Sequence, residues 1–293
     1  MSEVGNPDAR ATFERLLAEL RPKLHRYCAR MTGSVIDGED VLQDALIKAI
    51  EAFPQSGAIA NPEGWLFRIA HNAALDFLRR RARIAAALTD KDPDMIADPD
   101  DAADARQAVA ASLGTFMHLP VAQRSSVILS DVLGYSLEEI GDATGTTIPA
   151  IKAALHRGRA RLRELALAPD RDRPAPLAAA DRARLVSYVD RFNARDFDAV
   201  RDMLADDVRL DLVARLRLRG RKQVGAYFTN YDKNPTWRFT PAMLEGRPAA
   251  LVQDPATAAY LVVLDWTPDG LISIRDFRYA PYAMEGAVLE LLG

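Results

Sequence analysis

With 293 residues the chain exceeds one typical domain, and its 49% hydrophobic and 27% charged composition is that of an ordinary globular protein, so two or three domains are expected, each burying its own core. A formal net charge of −3 excludes a chain that is basic throughout, so any nucleic-acid contact would be made by local cationic runs, and such a balance suggests that something else would help deliver the protein there. The single cysteine, Cys28, excludes an internal disulfide and a cysteine-based zinc site and reads as a core residue. Asp8, Glu14 and Glu19 punctuate an N-terminal stretch without a long apolar run, so neither a signal peptide nor a membrane span is expected and a cytoplasmic location is.

The first hundred residues read as helices. Phe13, Leu16, Leu17, Leu20, Leu24 and Tyr27 mark an amphipathic segment that Pro22 is expected to bend or interrupt. Asp37 is expected to cap a helix running to about Phe53, with Leu42, Leu46, Ala49, Ile50 and Phe53 on one side. Asp40, Asp44 and Glu51 lie opposite, with Gln43 at the margin. Taken alone, such an acidic face is a solvated surface. A third helix begins at Pro62, with Leu66, Ile69, Ala70, Ala73 and Phe77 as its core stripe. Arg68, Asn72 and Arg79 share another face, and Arg79, Arg80, Arg81 and Arg83 close the helix as a cationic patch. The acidic run from Thr89 to Asp104, broken by two prolines, cannot bury a core of its own and reads as a spacer.

The stretch from Asp131 to Arg163 reads as a helix-turn-helix. Ser136 and Glu139 form a Ser-x-x-Glu capping box, Gly145 stands where a left-handed residue ends the first helix, Thr147 is placed to cap the second, and Pro149 falls in its first turn. Ile151, Leu155, Gly158, Leu162 and Leu165 recur at steps of three and four, the stripe that docks the second helix on its domain. Lys152, His156, Arg159 and Arg163 keep the same spacing on another face. One buried and one cationic stripe suit a helix lying in the major groove, with Arg and Lys neutralising phosphates.

Four motifs now stand in order: Asp37-Gly-Glu-Asp-Val-Leu-Gln-Asp-Ala-Leu, Trp65-Leu-Phe-Arg-Ile-Ala-His-Asn, Leu119-Pro with Arg124, and the helix-turn-helix. Together they closely resemble the group IV, or extracytoplasmic function (ECF), sigma factors of bacterial RNA polymerase over roughly residues 10 to 167. The resemblance implies that Asp40, Gln43 and Asp44 dock on the largest subunit of core polymerase, and that Trp65, Arg68, Asn72, Arg79 and Arg80 face the minus-ten element. The loop from Pro54 to Glu63 would shape a pocket for a flipped base. Thr147, Lys152, His156, Arg157 and Arg159 would face the minus-thirty-five element, and the acidic run would thread polymerase channels lined with positive charge. Ala153 and Ala154 depart from the family's pattern: neither has a hydrogen-bonding side chain, so fewer base contacts or shape readout are expected.

Past a proline-rich stretch at Ala168 to Leu177 the character changes. Two helical stripes, Leu185, Val189 and Phe192, then Phe197, Val200, Met203 and Leu204, flank an Asn193-Ala-Arg-Asp turn. Strands are predicted at 208–212, 215–219, 249–253, 258–266 and 271–279, with Thr267 to Gly270 joining the last two. The order, and the phrase Arg191 to Val200, resemble the SnoaL-like or nuclear-transport-factor-2-like cone fold. The fold class expected is thus two all-α sigma domains, a helical bundle and a helix-turn-helix, followed by an α+β cone-shaped domain with a curved antiparallel sheet.

The expected limits are 8–86 for sigma region 2, 87–108 for an acidic linker, 109–167 for sigma region 4, 168–180 for a second linker and 181–293 for the cone domain. Trp237, Phe239, Tyr260, Trp266 and Asp276 are candidates to line a small-molecule pocket there, against the simpler reading of core aromatics. All four histidines precede residue 157, so a His–Asp dyad is excluded from this domain, and Asp276 is expected to pair with a neighbouring arginine. The expected function is a promoter-specificity subunit, not an enzyme, with no cofactor or metal. Its partners would be core polymerase, through its largest and second-largest subunits, and promoter DNA. The last domain would regulate in cis, by what the resemblance implies, so that no separate anti-sigma factor is required.

Overall fold

The computed structural model describes residues 7–57, 59–86, 107–109, 111–167, 177–233 and 235–292, and divides the chain into two units, Met1–Asp172 and Arg173–Gly293. The acidic run at 89–104 and the linker at 168–176 lie outside the described residues.

The first unit is helical. α1 (Pro7–Thr32) runs straight through Pro22, because the face carrying Leu17, Leu20, Leu24 and Tyr27 is buried on both sides of the proline and holds the helix across the missing hydrogen bond. α2 (Val35–Ala52) is capped by Ser34, whose hydroxyl accepts from the Asp37 backbone N–H; Asp37, the expected cap, sits in the first turn. α3 (Pro62–Ala86) starts where the Asn61 side chain accepts from the Gly64 N–H at 2.9 Å.

Beyond the helical residues 107–109, the described residues form α4 (Leu113–Met117), α5 (Val121–Val127) with a π turn over Ile128–Val132, α6 (Leu137–Thr144) and α7 (Ile148–Ala166). The Ser136–Glu139 capping box forms with both bonds, and Gly145 adopts the left-handed conformation, φ 70°, that an L side chain resists. Thr147 occupies the N-cap of α7, but its hydroxyl makes no capping bond; Pro149 in the first turn already removes one donor.

α1–α3 and α4–α7, expected as separate domains, share one hydrophobic cluster. α3 is the reason. Besides its predicted stripe it buries a second one, Phe67, His71 and Ala74, and packs against α6. Tyr135 closes this contact: its ring meets Phe67 edge-on at 5.0 Å, Lys23 Nζ lies 4.2 Å from its centroid, and its hydroxyl donates to Glu63, which also pairs with Lys23 at 2.6 Å. Arg124 is buried between the two halves, donating to the carbonyls of Met31 at 2.6 Å, Leu119 at 2.9 Å and Met117 at 3.2 Å.

The second unit is α+β. α8 (Ala179–Asn193) and α9 (Phe197–Asp202) form as predicted and pack through Phe192 and Phe197. Seven strands follow: β1 (Leu204–Leu212), β2 (Leu216–Arg219), β3 (Arg238–Leu244), β4 (Arg247–Asp254), β5 (Thr257–Thr267), β6 (Gly270–Asp276) and β7 (Leu289–Leu291). α10 (Arg221–Asp232) lies between β2 and β3. The sheet order is β2-β1-β6-β5-β4-β3-β7.

The sheet is mixed and not wholly antiparallel: β1 and β6 pair in parallel, since the excursion through α10 and the β3–β6 meander returns β6 to the free side of β1. α8 is tied to the sheet by Asn193, whose amide donates to the Phe239 carbonyl at 2.8 Å while its oxygen accepts from the Phe239 N–H at 2.9 Å. The core gathers Leu185, Phe192, Leu210, Phe228, Val262 and Ile274.

Candidate polymerase and nucleic-acid interfaces

The acidic face of α2 forms as predicted. Asp44 is exposed and Asp40 and Gln43 are half-exposed, opposite buried Val41, Leu42 and Ala45. Ile50, expected in the core, is about half exposed together with Ile47, so the distal end of α2 presents carboxylates mixed with aliphatic surface. Asp44 faces Arg80 of α3 at 3.7 Å, and Asp76 faces Lys48 at 3.7 Å and Arg79 at 3.3 Å. These residues with Glu51 and Arg83 line a groove of about 880 Å³. Two residue sets that the sequence assigned to different partners, Asp44 and Arg79–Arg80, thus stand on its two banks.

On α3, Arg68 and Asn72 are exposed on one face, as expected. Trp65 is half-buried, its ring 6.1 Å from Phe13, which stacks on Phe53 at 4.0 Å; one edge belongs to the core and the other is open.

On α7, Ile151, Leu155 and Leu162 are buried as predicted, and Gly158 lets α7 approach α5 closely: a Cβ there would lie 2.7 Å from Val127 Cγ2. Lys152 and Arg157 are exposed, Thr147 is exposed at the cap, and His156 is half-exposed. Arg159 departs from the predicted cationic stripe. Its guanidinium makes a two-pronged pair with Asp131 of the π turn, Nε to Oδ2 at 2.9 Å and Nη2 to Oδ1 at 2.8 Å, and both side chains are largely buried. The reason is register: Arg159 follows Gly158, at the closest approach of α7 to α5, and so points at the turn that ends α5. Ala154 is buried, so its lack of a polar group is a packing requirement.

In the second unit Trp237, Phe239, Tyr260 and Asp276 are buried and Trp266 is half-buried, and the aromatic four belong to or pack against one core cluster. Phe239 stacks on Phe192 at 3.7 Å, Trp237 and Tyr260 meet at 6.3 Å, and Trp266 meets Tyr188 instead. Asp276 does not pair with an arginine side chain as expected. Its carboxylate accepts from the Tyr231 hydroxyl at 2.8 Å and from the Arg278 backbone N–H at 2.8 Å, while the Arg278 guanidinium lies over the Trp237 ring at 4.3 Å. Burial pushes Asp276 up to about 6, against those two hydrogen bonds and the nearby Arg278 charge, which pull it down. Among the described residues no group of His, Cys, Asp or Glu is arranged to hold a metal, and no helix is long and apolar enough to cross a membrane.

Residues 16–84 match the family model for Sigma-70 region 2, and residues 115–162 that for Sigma-70, region 4. The ECF RNA polymerase sigma factor SigM of Mycobacterium tuberculosis is 34% identical over 157 residues, 53% of this chain and 78% of that protein. SigE of Mycolicibacterium smegmatis is 30% identical over 164 residues, and the chain spans 63% of its length. Among solved structures, the sigma factor RpoE of Bartonella quintana in complex with the anti-sigma factor NepR is 26% identical, over 53% of this chain and 96% of that one, with a TM-score of 0.41. Two region models in the predicted order, on helices whose cationic and acidic faces are exposed, and a relative matched over most of its length make this chain a member of the ECF RNA polymerase sigma factor family.

Proposed function

We propose that the protein binds core RNA polymerase and directs initiation at particular promoters. The acidic face of α2, Asp40, Gln43 and Asp44, docks on core polymerase. α3 presents Trp65, Arg68, Asn72, Arg79 and Arg80 to the minus-ten element, and α7 presents Thr147, Lys152, His156 and Arg157 to the minus-thirty-five element. The observation that carries this reading is the helix-turn-helix formed by α6 and α7, whose capping box, left-handed glycine and buried stripe hold Lys152 and Arg157 outward on one rigid helix. Its test is the double reversal Asp40→Lys with Asp44→Lys. Exposed helix substitutions cost little stability, so the fold should persist while co-purification with core polymerase and promoter-dependent transcription are lost. Undiminished co-purification would refute the assignment.

The second unit acts, in this reading, as a regulator in cis. A tether of about ten residues gives it a high effective concentration near the helical unit, so a weak contact suffices to bias activity.

A further inference from the structure

The second unit carries a concentrated positive face that the preceding reading leaves unused. β1 and β2 are antiparallel, with Arg209 opposite Arg219 and Asp211 opposite Arg217; on its other side β1 sets Asp211 beside Arg275 of β6. Alternation along β1 buries Val208, Leu210 and Leu212 and turns Arg209 and Asp211 outward. Four arginines therefore share one sheet face with the carboxylates of Asp207 and Asp211, the second of which Arg217 already engages at 3.3 Å. Arg209 and Arg219 have no carboxylate partner among the described residues. Just beyond Arg219, α10 opens with exposed Arg221 and Lys222. Arg221 is held by Asp206 at 3.6 Å, and Lys222 borders a hollow of about 580 Å³ together with Arg201.

Two like charges directly opposite each other on antiparallel strands destabilise the pair, since their Cβ atoms lie only about 4.5–5.5 Å apart. A bound polyanion removes that cost. Protection of the edge strand β2 against association would explain charge there, but charge of either sign serves that purpose, and at Arg209 and Arg219 both partners carry the same one. The residue type narrows the occupant further: the cluster is almost wholly arginine, whose planar fork matches phosphate oxygens two at a time. The chain as a whole carries −3, so this field is local to the face and not a by-product of composition.

We propose that the Arg209–Arg219 face binds the phosphate backbone of duplex DNA, adding a contact independent of base sequence to those of α3 and α7. The face of a seven-stranded sheet is too broad to enter a groove, so it positions the duplex and does not read it. The proposal rests on the reading that the chain engages promoter DNA, and the experiment separates the two.

Holoenzyme reconstituted from core polymerase and the full-length chain is titrated with a labelled promoter duplex and with a scrambled duplex between about 50 and 200 mM salt. Arg209→Glu with Arg219→Glu is expected to weaken both duplexes by at least about tenfold at the lower salt. It should also reduce the slope of log affinity against log salt by about 2, close to 0.9 for each of two lost phosphates. Arg209→Gln with Arg219→Gln should give the same change in slope with a smaller loss, and serves if the reversal does not fold. Wild-type binding to the promoter with unchanged slopes in both variants overturns the phosphate face alone. Variants that keep the DNA slope but lose core polymerase assign the face to an acidic protein surface and overturn it too. A wild-type holoenzyme indifferent to promoter sequence overturns the reading on which the proposal rests.

Discussion

Arg159 shows how one side chain changes meaning once its neighbours are known. Its pair with Asp131 is buried, so removing one partner strands the other charge in a poorly solvated place. Arg159→Ala should therefore destabilise the helical unit by about 3–5 kcal/mol in urea unfolding, whereas Arg157→Ala, on the exposed face, should change it by less than about 0.5. Equal and small effects from both would show that Arg159 is as free as Arg157. Two buried titratable groups act in opposite senses. Burial holds His71, bonded through Nδ1 to the Tyr27 hydroxyl at 2.7 Å, down at about 4, and raises Asp276 to about 6. His71 is favoured neutral, so its contribution is present above about 6.5 and is lost as pH falls toward 4; Asp276 is favoured protonated, so its contribution is present below about 4 and lost as pH rises through 6. Each shift corresponds to about 3 kcal/mol at most. Between pH 6.5 and 4 the melting transition of the helical unit should lose this contribution and that of the second unit should gain one. His71→Gln and Asp276→Asn should each flatten only their own unit's dependence in calorimetry of the full chain.

At the scale of elements, α7 depends on a residue with no side chain. Gly158 sits where α7 crosses α5, and an added methyl would lie 2.7 Å from Val127 Cγ2 and 3.3 Å from Gln123 Cβ. Overpacking of this kind costs about 1–3 kcal/mol, of which the better helix propensity of alanine returns about 1 at most. Gly158→Ala should lower the melting temperature of the helical unit and weaken binding to the upstream promoter element, although no outward residue has changed. Unaltered stability and DNA affinity would mean that α7 tolerates displacement from α5. The capping box and Gly145 were readable because they are local, each needing only residues within one turn. β3, β7 and α10 were not: Arg238–Leu244 places Pro241 within a strand, β7 has three residues, and α10 places Val224, Gly225, Phe228 and Tyr231 on a buried face too mixed with polar residues to stand out.

At the scale of the molecule, α1–α7 share a single core, with Tyr135 and Arg124 joining the two halves. A chain ending at Asp172 should therefore unfold in one cooperative transition. If the second unit regulates in cis, that truncated chain should also change promoter-dependent transcription well beyond assay error, with increased yield the expected direction. A truncated protein with the transcript yield and core affinity of the full chain would show that the second unit is not a regulator.

Period, caps and charge placement belong to single elements. The sequence alone therefore settled α1–α3, α6 and α7, most of the exposed faces of α2, α3 and α7, the family, and the helix-then-sheet order of the second unit. What it could not settle depends on partners far along the chain. Phe67 lies outside the predicted stripe of α3 and is buried only because Tyr135 covers it, Arg159 reads as one more surface cation until the π turn brings Asp131 to it, and Asp276 gains its environment only when Tyr231, 45 residues away, folds over the sheet. The parallel pairing of β1 with β6 is of the same kind, since direction in a sheet is decided by where the chain returns and not by the pattern within either strand.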